Sequence, residues 1–331
     1  MRISVPTIPQ AILSAATSAA QSISPSAAVE RIASFLAPGN VATITGAGVS
    51  VDSGIRAYRG VKGRYLNPNY KLRSYLGYTP VRDALPNTTH YALAALQYSG
   101  IIPKLITQNV DGLHQKALSS VWNTAYKQER ILELHGSLHK VHCSHGHVID
   151  RATFQDRLSA ANPEWKTYMD ELEATGQRPR TNPDGDVELE GVAYDSFRVP
   201  ECPTCLAENR HNSILKPELI FFGESIRQDV KDRSYADIEH CSGLFLVGTT
   251  LATYSAFRLL RHALELKKPV LMLNIGPTRA DPLPGLEKIE MSSRIVMRDA
   301  VRAVLGSRVD DDPIIERMLR SGVVQPPSED D

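Results

Sequence analysis

Ile44-Thr-Gly-Ala-Gly-Val-Ser50, running on through Gly54 to Arg59, decides how the rest of this chain is read. Residues 41–45 are short, apolar and β-branched, as in a buried strand, and two glycines follow where a backbone must turn tightly or approach a ligand closely. A helix beginning near Ser50 to Ser53 would aim free N–H groups and its positive end at an anion, so a pyrophosphate is the expected guest. The stretch departs twice from the usual dinucleotide fingerprint. Val51 stands at the third glycine position, and no acidic residue occurs from Ser53 to Arg82, where a dehydrogenase places a ribose-binding carboxylate. The pocket therefore reads as nucleotide-binding but not built for routine hydride transfer.

At 331 residues the chain can bury one large domain, or one large and one small. Lys plus Arg and Asp plus Glu both number 37, a balance that gives no support for a nucleic-acid or acidic-membrane surface. No run approaches the roughly 18 consecutive apolar residues that span a bilayer. Four cysteines do not make a disulfide framework, and Cys202-Pro-Thr-Cys205 reads as metal or redox chemistry. Residues 1–29 lack acids and are rich in Ser and Ala, with an amphipathic pattern at 11–20, yet Arg2 is their only base. Either an import signal or a flexible lead-in fits that pattern.

Further along, residues 24–36 read as a helix capped by Ser24, and 87–100 as a second helix with an Asn or Thr cap. Residues 60–87, with little periodicity, read as a mobile cover over the pocket. A strand over 101–107 ends in Gln108-Asn-Val-Asp111, polar groups at a strand end where open α/β sheets bind ligands. Another apolar run ends in His135-Gly136, which makes His135 the first candidate for a general base. Residues 139–216 differ in texture and look like an inserted module. There Cys202 and Cys205 form half a zinc knuckle, and Cys143 with His147 is the preferred other half, His145 being the alternative. Cys241 reads as simply buried. The α/β pattern resumes with apolar runs at 219–222, 244–247 and 270–273, each ending in Gly, Thr or Asn groups on one edge of the sheet. Residues 325–331 read as an acidic tail.

In this order, Thr45-Gly-Ala-Gly-Val-Ser50, Gln108-Asn-Val-Asp111, Leu134-His-Gly136, Cys202-x-x-Cys205, Phe222-Gly-Glu224, Gly248-Thr-Thr250 and Leu273-Asn274 resemble a sirtuin, the NAD-dependent protein lysine deacylase family. The resemblance runs from about Ile44 to about Leu305. Residues 183–187 and Val199-Pro200 look most like its class II branch, which includes mitochondrial members.

The resemblance implies an α/β fold with a Rossmann-like parallel-sheet large domain (24–138 and 217–308) and a smaller zinc-binding module (139–216). A lead (1–23) and a tail (309–331) flank them. It implies NAD consumed as co-substrate, zinc in the small module, and acylated lysines of proteins as partners. In the family the acyl oxygen attacks the anomeric carbon of the nicotinamide ribose, nicotinamide leaves, and the products are deacylated lysine and O-acyl-ADP-ribose. Carried over, His135 is the base. Gly46, Ala47 and Gly48 line the phosphates, and Tyr58 and Arg59 the nicotinamide side. Gln108, Asn109, Val110 and Asp111 surround the ribose and nicotinamide. Gly248, Thr249, Thr250, Asn274 and Ile275 hold the adenosine half, and Cys143, His147, Cys202 and Cys205 hold zinc. Phe222 and Gly223 border an acyl-lysine tunnel.

Three departures stand out: Ala57 where the family has a carboxylate, a short segment from Tyr65 to Pro86, and Gly146 in place of a zinc cysteine. The expectation is a deacylase, with mono-ADP-ribosyltransferase or an NAD-binding sensor as alternatives. A mitochondrial location is expected, with nuclear or cytoplasmic as the alternative.

Overall fold

The structure, a computed structural model, describes residues 8–15, 23–55, 70–175, 197–211, 213–220 and 224–324. After α1 (Gln10–Ala15) comes α2 (Pro25–Leu36), where the Ser24 side chain accepts from the Ala27 N–H and Pro25 occupies the first turn. Strand β1 (Val41–Thr45) leads into a 3₁₀ segment (Ala47–Ser53), α3 (Tyr70–Asp83), α4 (Thr88–Tyr98) and β2 (Lys104–Thr107). Helices α5 (Leu113–Ala117) and α6 (Thr124–Arg130) precede β3 (Ile131–Glu133), β4 (Gly136–His142) and β5 (Val148–Asp150). Then follow α7 (Arg151–Ala161), α8 (Pro163–Ala174), α9 (Pro203–Ala207) and β6 (Lys216–Leu219). The chain continues through α10 (Gln228–Glu239), β7 (Gly243–Val247), α11 (Tyr254–Glu265), β8 (Val270–Leu273) and β9 (Leu286–Ile289). It finishes with α12 (Ser293–Leu305), α13 (Arg308–Asp311) and α14 (Pro313–Arg320).

Six strands form a parallel sheet in the order β3-β2-β1-β7-β8-β9. Its central strands are buried on both faces, which is why they read as continuous apolar runs. Alternation divides their side chains between two cores. Val41, Leu105, Phe245, Val247 and Leu271 pack with α2, α4, α12 and α14. Ala42, Ile44, Ile106, Leu244, Leu246 and Met272 pack with α10 and α11 on the other face. Chain order reverses between β1 and β7, and such a switch point opens a crevice beyond the strands' carboxyl ends.

The second sheet, β5-β4-β6, is antiparallel and carries its own core of Val141, Cys143, Phe154, Leu158, Cys202, Cys205 and Leu215. Tyr75 and Leu76 of α3 belong to this core. Two sequence expectations change here. The run starting at Leu219 was expected in the parallel sheet, but Leu219 itself ends β6, which pairs with β4 in the second sheet. Residues 70–83 form a helix where little periodicity was found, and that helix even holds Pro80. It is fixed by tertiary contacts: the Tyr75 hydroxyl lies 2.8 Å from Ser159 Oγ, Gln155 donates to the Tyr75 carbonyl, and the Arg151 guanidinium stacks 4.6 Å from the Tyr78 ring.

No helix among the described residues is long and apolar enough to cross a membrane.

Candidate nucleotide crevice and metal centre

The glycine loop enters the crevice at once. The segment after β1 is a seven-residue 3₁₀ helix that begins at Ala47, not a helix beginning at Ser50 to Ser53 as expected, and Gly54 ends it with φ +78°. Gly46 N–H donates to the Val247 carbonyl and Gly48 N–H to the Gly248 carbonyl, at 3.2 and 2.9 Å. A Cβ on Gly48 would stand 2.9 Å from Gly248 Cα. The close approach that requires glycine is thus made first to the β7 loop, which locks the two halves of the switch point together.

Buried polar side chains line that seam. Asn109 donates through Nδ2 to the Gly46 carbonyl (3.1 Å) and to Ser50 Oγ (3.0 Å), and Ser50 Oγ donates to Asp111 Oδ2 at 2.7 Å. Burial pushes the Asp111 carboxyl up, against hydrogen bonds from the Leu113 N–H and Ser50 that favour the anion. Gln108 gives its amide protons to Thr249 Oγ1 (2.8 Å) and the Thr45 carbonyl (3.2 Å), and its carbonyl oxygen accepts from Thr253 Oγ1 at 3.0 Å. Val110 packs in an apolar cluster with Ile55, Val81, Leu113 and Leu138. Thr249 and Asn274 are buried at the ends of β7 and β8, Thr250 is half-buried, and Ile275 is exposed. The network continues inward: Thr45 Oγ1 lies 2.9 Å from His114 Nε2, and the His114 and His90 rings are 4.8 Å apart.

His135 follows β3 at the same edge. Gly136 sets its position, with φ +84° and a would-be Cβ only 1.9 Å from the Glu218 carbonyl oxygen, while Ile220 N–H bonds the His135 carbonyl. The His135 Nδ1 lies 3.1 Å from the Gln108 carbonyl, which can only accept. Nδ1 therefore carries the proton, and Nε2, 2.8 Å from Ser255 Oγ, is the acceptor. Burial lowers this imidazole to about 4, partly offset by the Gln108 carbonyl, so it is neutral near pH 7. A neutral ring with an accepting Nε2 is the form a general base needs. Chemically, the crevice offers hydroxyls, amides, one carboxyl and one imidazole, a set suited to ribose hydroxyls and a carboxamide.

Sequence reading missed Ser50, Thr253 and Ser255 as members of this array. The hydroxyl-rich run 249–255 was the available signal.

The second cluster lies in the small sheet's core. Cys143, His147, Cys202 and Cys205 place their ligand atoms within 4.8 Å of one another. The Cys143–Cys205 sulfurs are 3.7 Å apart, and His147 Nδ1 lies 3.6, 3.6 and 3.3 Å from Cys143, Cys202 and Cys205. A tetrahedral zinc with metal–sulfur bonds of about 2.3 Å has sulfur–sulfur edges of about 3.8 Å, so these four residues fit such an ion. Gly146, at the position of the missing cysteine, has φ +83° and supplies a turn, its N–H bonded to the Cys143 carbonyl. His145 Nδ1 approaches Cys205 at 3.4 Å but also bonds Ser213 at 3.2 Å, and its side chain is exposed. Tyr58, Arg59, Phe222 and Gly223, and the Ala57 departure, lie outside the described residues.

Comparison with known proteins fits this geometry. The NAD-dependent protein deacylase SIR4 of Batrachochytrium dendrobatidis (strain JAM81 / FGSC 10211) is 37% identical over 289 residues, covering 80% of this chain and 90% of that protein. The NAD-dependent protein deacylase sir-2.2 of Caenorhabditis elegans is 38% identical over 264 residues, covering 74% and 85%. A chain solved to explain the mechanism and regulation of Sir2 enzymes shares 27% identity and a TM-score of 0.57, covering 83% of this chain and 97% of its own. A Sir2 homologue solved with NAD is alike in fold, with a TM-score of 0.59 at 24% identity over 83% and 93%. The Sir2 family model matches residues 67–255, and with these relatives it shows that the chain belongs to the Sir2 family.

Proposed function

We propose that this protein is an NAD-dependent protein lysine deacylase that releases nicotinamide and O-acyl-ADP-ribose. One observation carries the reading: a neutral His135, its Nε2 an acceptor, stands at the switch-point crevice of a Sir2-family sheet beside Gln108, Asn109 and Asp111. When bound, NAD supplies an activated anomeric carbon with nicotinamide as leaving group. His135 Nε2 takes a proton from a ribose hydroxyl and passes it on to solvent. Asn109, held against Ser50 and Gly46, and Asp111, held by Ser50 and the Leu113 N–H, fix the polar edge that orients the ribose and carboxamide. The interlocked glycine loops would hold the phosphates, and the residues at the ends of β7 and β8 the adenosine half. Cys143, His147, Cys202 and Cys205 would hold zinc in a structural role, since three thiolates and an imidazole would leave a tetrahedral ion no open position.

The finer assignment is to the class II branch and to mitochondria, rather than the nucleus or cytoplasm. It draws support from residues 183–187, Val199-Pro200 and the acid-free start of the chain, and a tagged full-length chain imaged against organelle markers tests the location. We also divide the chain into 24–138 with 217–308 and an inserted 139–216, with β4 and β6 bridging the junctions.

The deciding experiment is mass spectrometry of NAD reactions with a panel of acyl-lysine peptides, comparing wild type with His135→Ala. Deacylation with O-acyl-ADP-ribose, lost in the variant, is the expected result. ADP-ribose attached to protein without deacylation would replace this reading with a mono-ADP-ribosyltransferase.

A further inference from the structure

The first turn of α11 reaches both polar groups that face the crevice from β2 and β3. Thr253, the N-cap residue, donates from Oγ1 to Gln108 Oε1 at 3.0 Å, and two residues later Ser255 Oγ lies 2.8 Å from His135 Nε2. Gln108 in turn accepts the His135 Nδ1 proton on its main-chain carbonyl. The result is a closed ring, Gln108–Thr253 through α11 to Ser255, then His135 and back to Gln108. With the Nδ1 proton committed, Nε2 has a single lone pair and can only accept, so the Ser255 hydroxyl must be the donor. Both ring nitrogens of His135 are therefore bonded within the protein. An imidazole held at two points cannot turn about χ2 or exchange tautomers without breaking a bond, whereas one held at Nδ1 alone swings about that bond.

We propose that Ser255 is a positioning residue for the His135 base: its hydroxyl holds the Nε2 lone pair on the line along which a proton arrives, and yields that lone pair when a substrate hydroxyl takes its place. The inference rests on the reading of His135 as base. Ser255 forms no covalent bond, and in this role the proton moves only from the substrate hydroxyl to His135. Thr253 performs the matching task for the Gln108 amide, whose other end is held by Thr249.

The test pairs kinetics with a readout independent of turnover. In Ser255→Ala, kcat for deacylation should fall about tenfold at neutral pH with KM for NAD within twofold of wild type, and Ser255→Thr, which keeps the hydroxyl, should recover most of the loss. Nitrogen NMR of the labelled imidazole should show His135 Nε2 as a hydrogen-bonded acceptor in wild type and in the threonine variant. In the alanine variant its resonance should move toward that of a free imidazole nitrogen. Unchanged kcat with an unmoved Nε2 resonance in Ser255→Ala would overturn the proposal, as would an equal loss in alanine and threonine variants accompanied by weaker NAD binding, which is the mark of a packing role. Failure of the underlying reading looks different: His135→Ala would then keep deacylase activity, whereas failure of the inference alone leaves His135→Ala inactive and Ser255→Ala like wild type.

Discussion

Acid should weaken this protein through its buried histidines, and Glu133 should oppose the effect. Burial lowers His135 to about 4 and His114 to about 3, against an ordinary 6.5. His90, sealed against His114, also lies well below the ordinary range. In the unfolded chain each takes up a proton near 6.5 that the folded chain refuses, so their contribution is full above that pH and is lost as pH falls toward the folded values. From about pH 7 to about pH 5 the loss is about 2 kcal/mol for His135 and the same for His114.

Glu133 carries the opposite sign. Burial raises its carboxyl to about 7 from 4.5, against the pull of Lys140, so the folded state gains its proton first. Stability rises by about 2 kcal/mol over the same fall in pH. His135 and Glu133 keep part of their surface in water, which makes these upper figures. Glu133→Gln, which cannot titrate, should therefore lose about 2 kcal/mol more than wild type over this fall in pH, since every other titrating group is common to both. Urea unfolding of both proteins at the two pH values measures the difference, with the His135 ring titration followed by NMR. Equal losses in the two proteins, or a His135 that titrates near 6.5, would refute the reasoning.

Two other perturbations probe the crevice and the metal core. Gly48→Ala puts a Cβ against Gly248 backbone that cannot swing aside, so overpacking and the strained N–H bond to Gly248 should cost about 2–4 kcal/mol. A melt within a degree of wild type and unchanged ADP-ribose affinity would contradict that account. The purified chain should hold about one zinc ion by metal analysis, as four ligands in one tetrahedron require. Cys202→Ser should lower that content and, because Tyr75 and Leu76 share the cysteines' core, should raise amide exchange in α3. Protection of α3 that is indifferent to chelation would separate the two.

Much of the large sheet was legible because its physics is local. Strands β1, β7 and β8 are buried on both faces and must be continuous apolar runs, and Ser24 and Asn87 announce α2 and α4 by caps that satisfy first-turn N–H groups. Helix α3 carried no such signal: its partners Ser159, Gln155 and Arg151 lie more than seventy residues away, and they stabilise a segment whose own pattern is weak and whose interior holds a proline. The run at Leu219 looked like one more parallel strand because apolar residues alone cannot name a pairing partner.

The sequence by itself determined the α/β class with its buried strands, the family motifs and the three cysteines with a nearby histidine, since each is written as residue type at short spacing. Only the tertiary structure decided that His147 closes the thiol cluster, that the glycine loops grip each other across the switch point, and that His135 is neutral with Nε2 bonded to Ser255. The reason is distance along the chain: protonation state and ligand geometry depend on burial and on partners such as Ser255, 120 positions from the imidazole it holds, which no local pattern encodes.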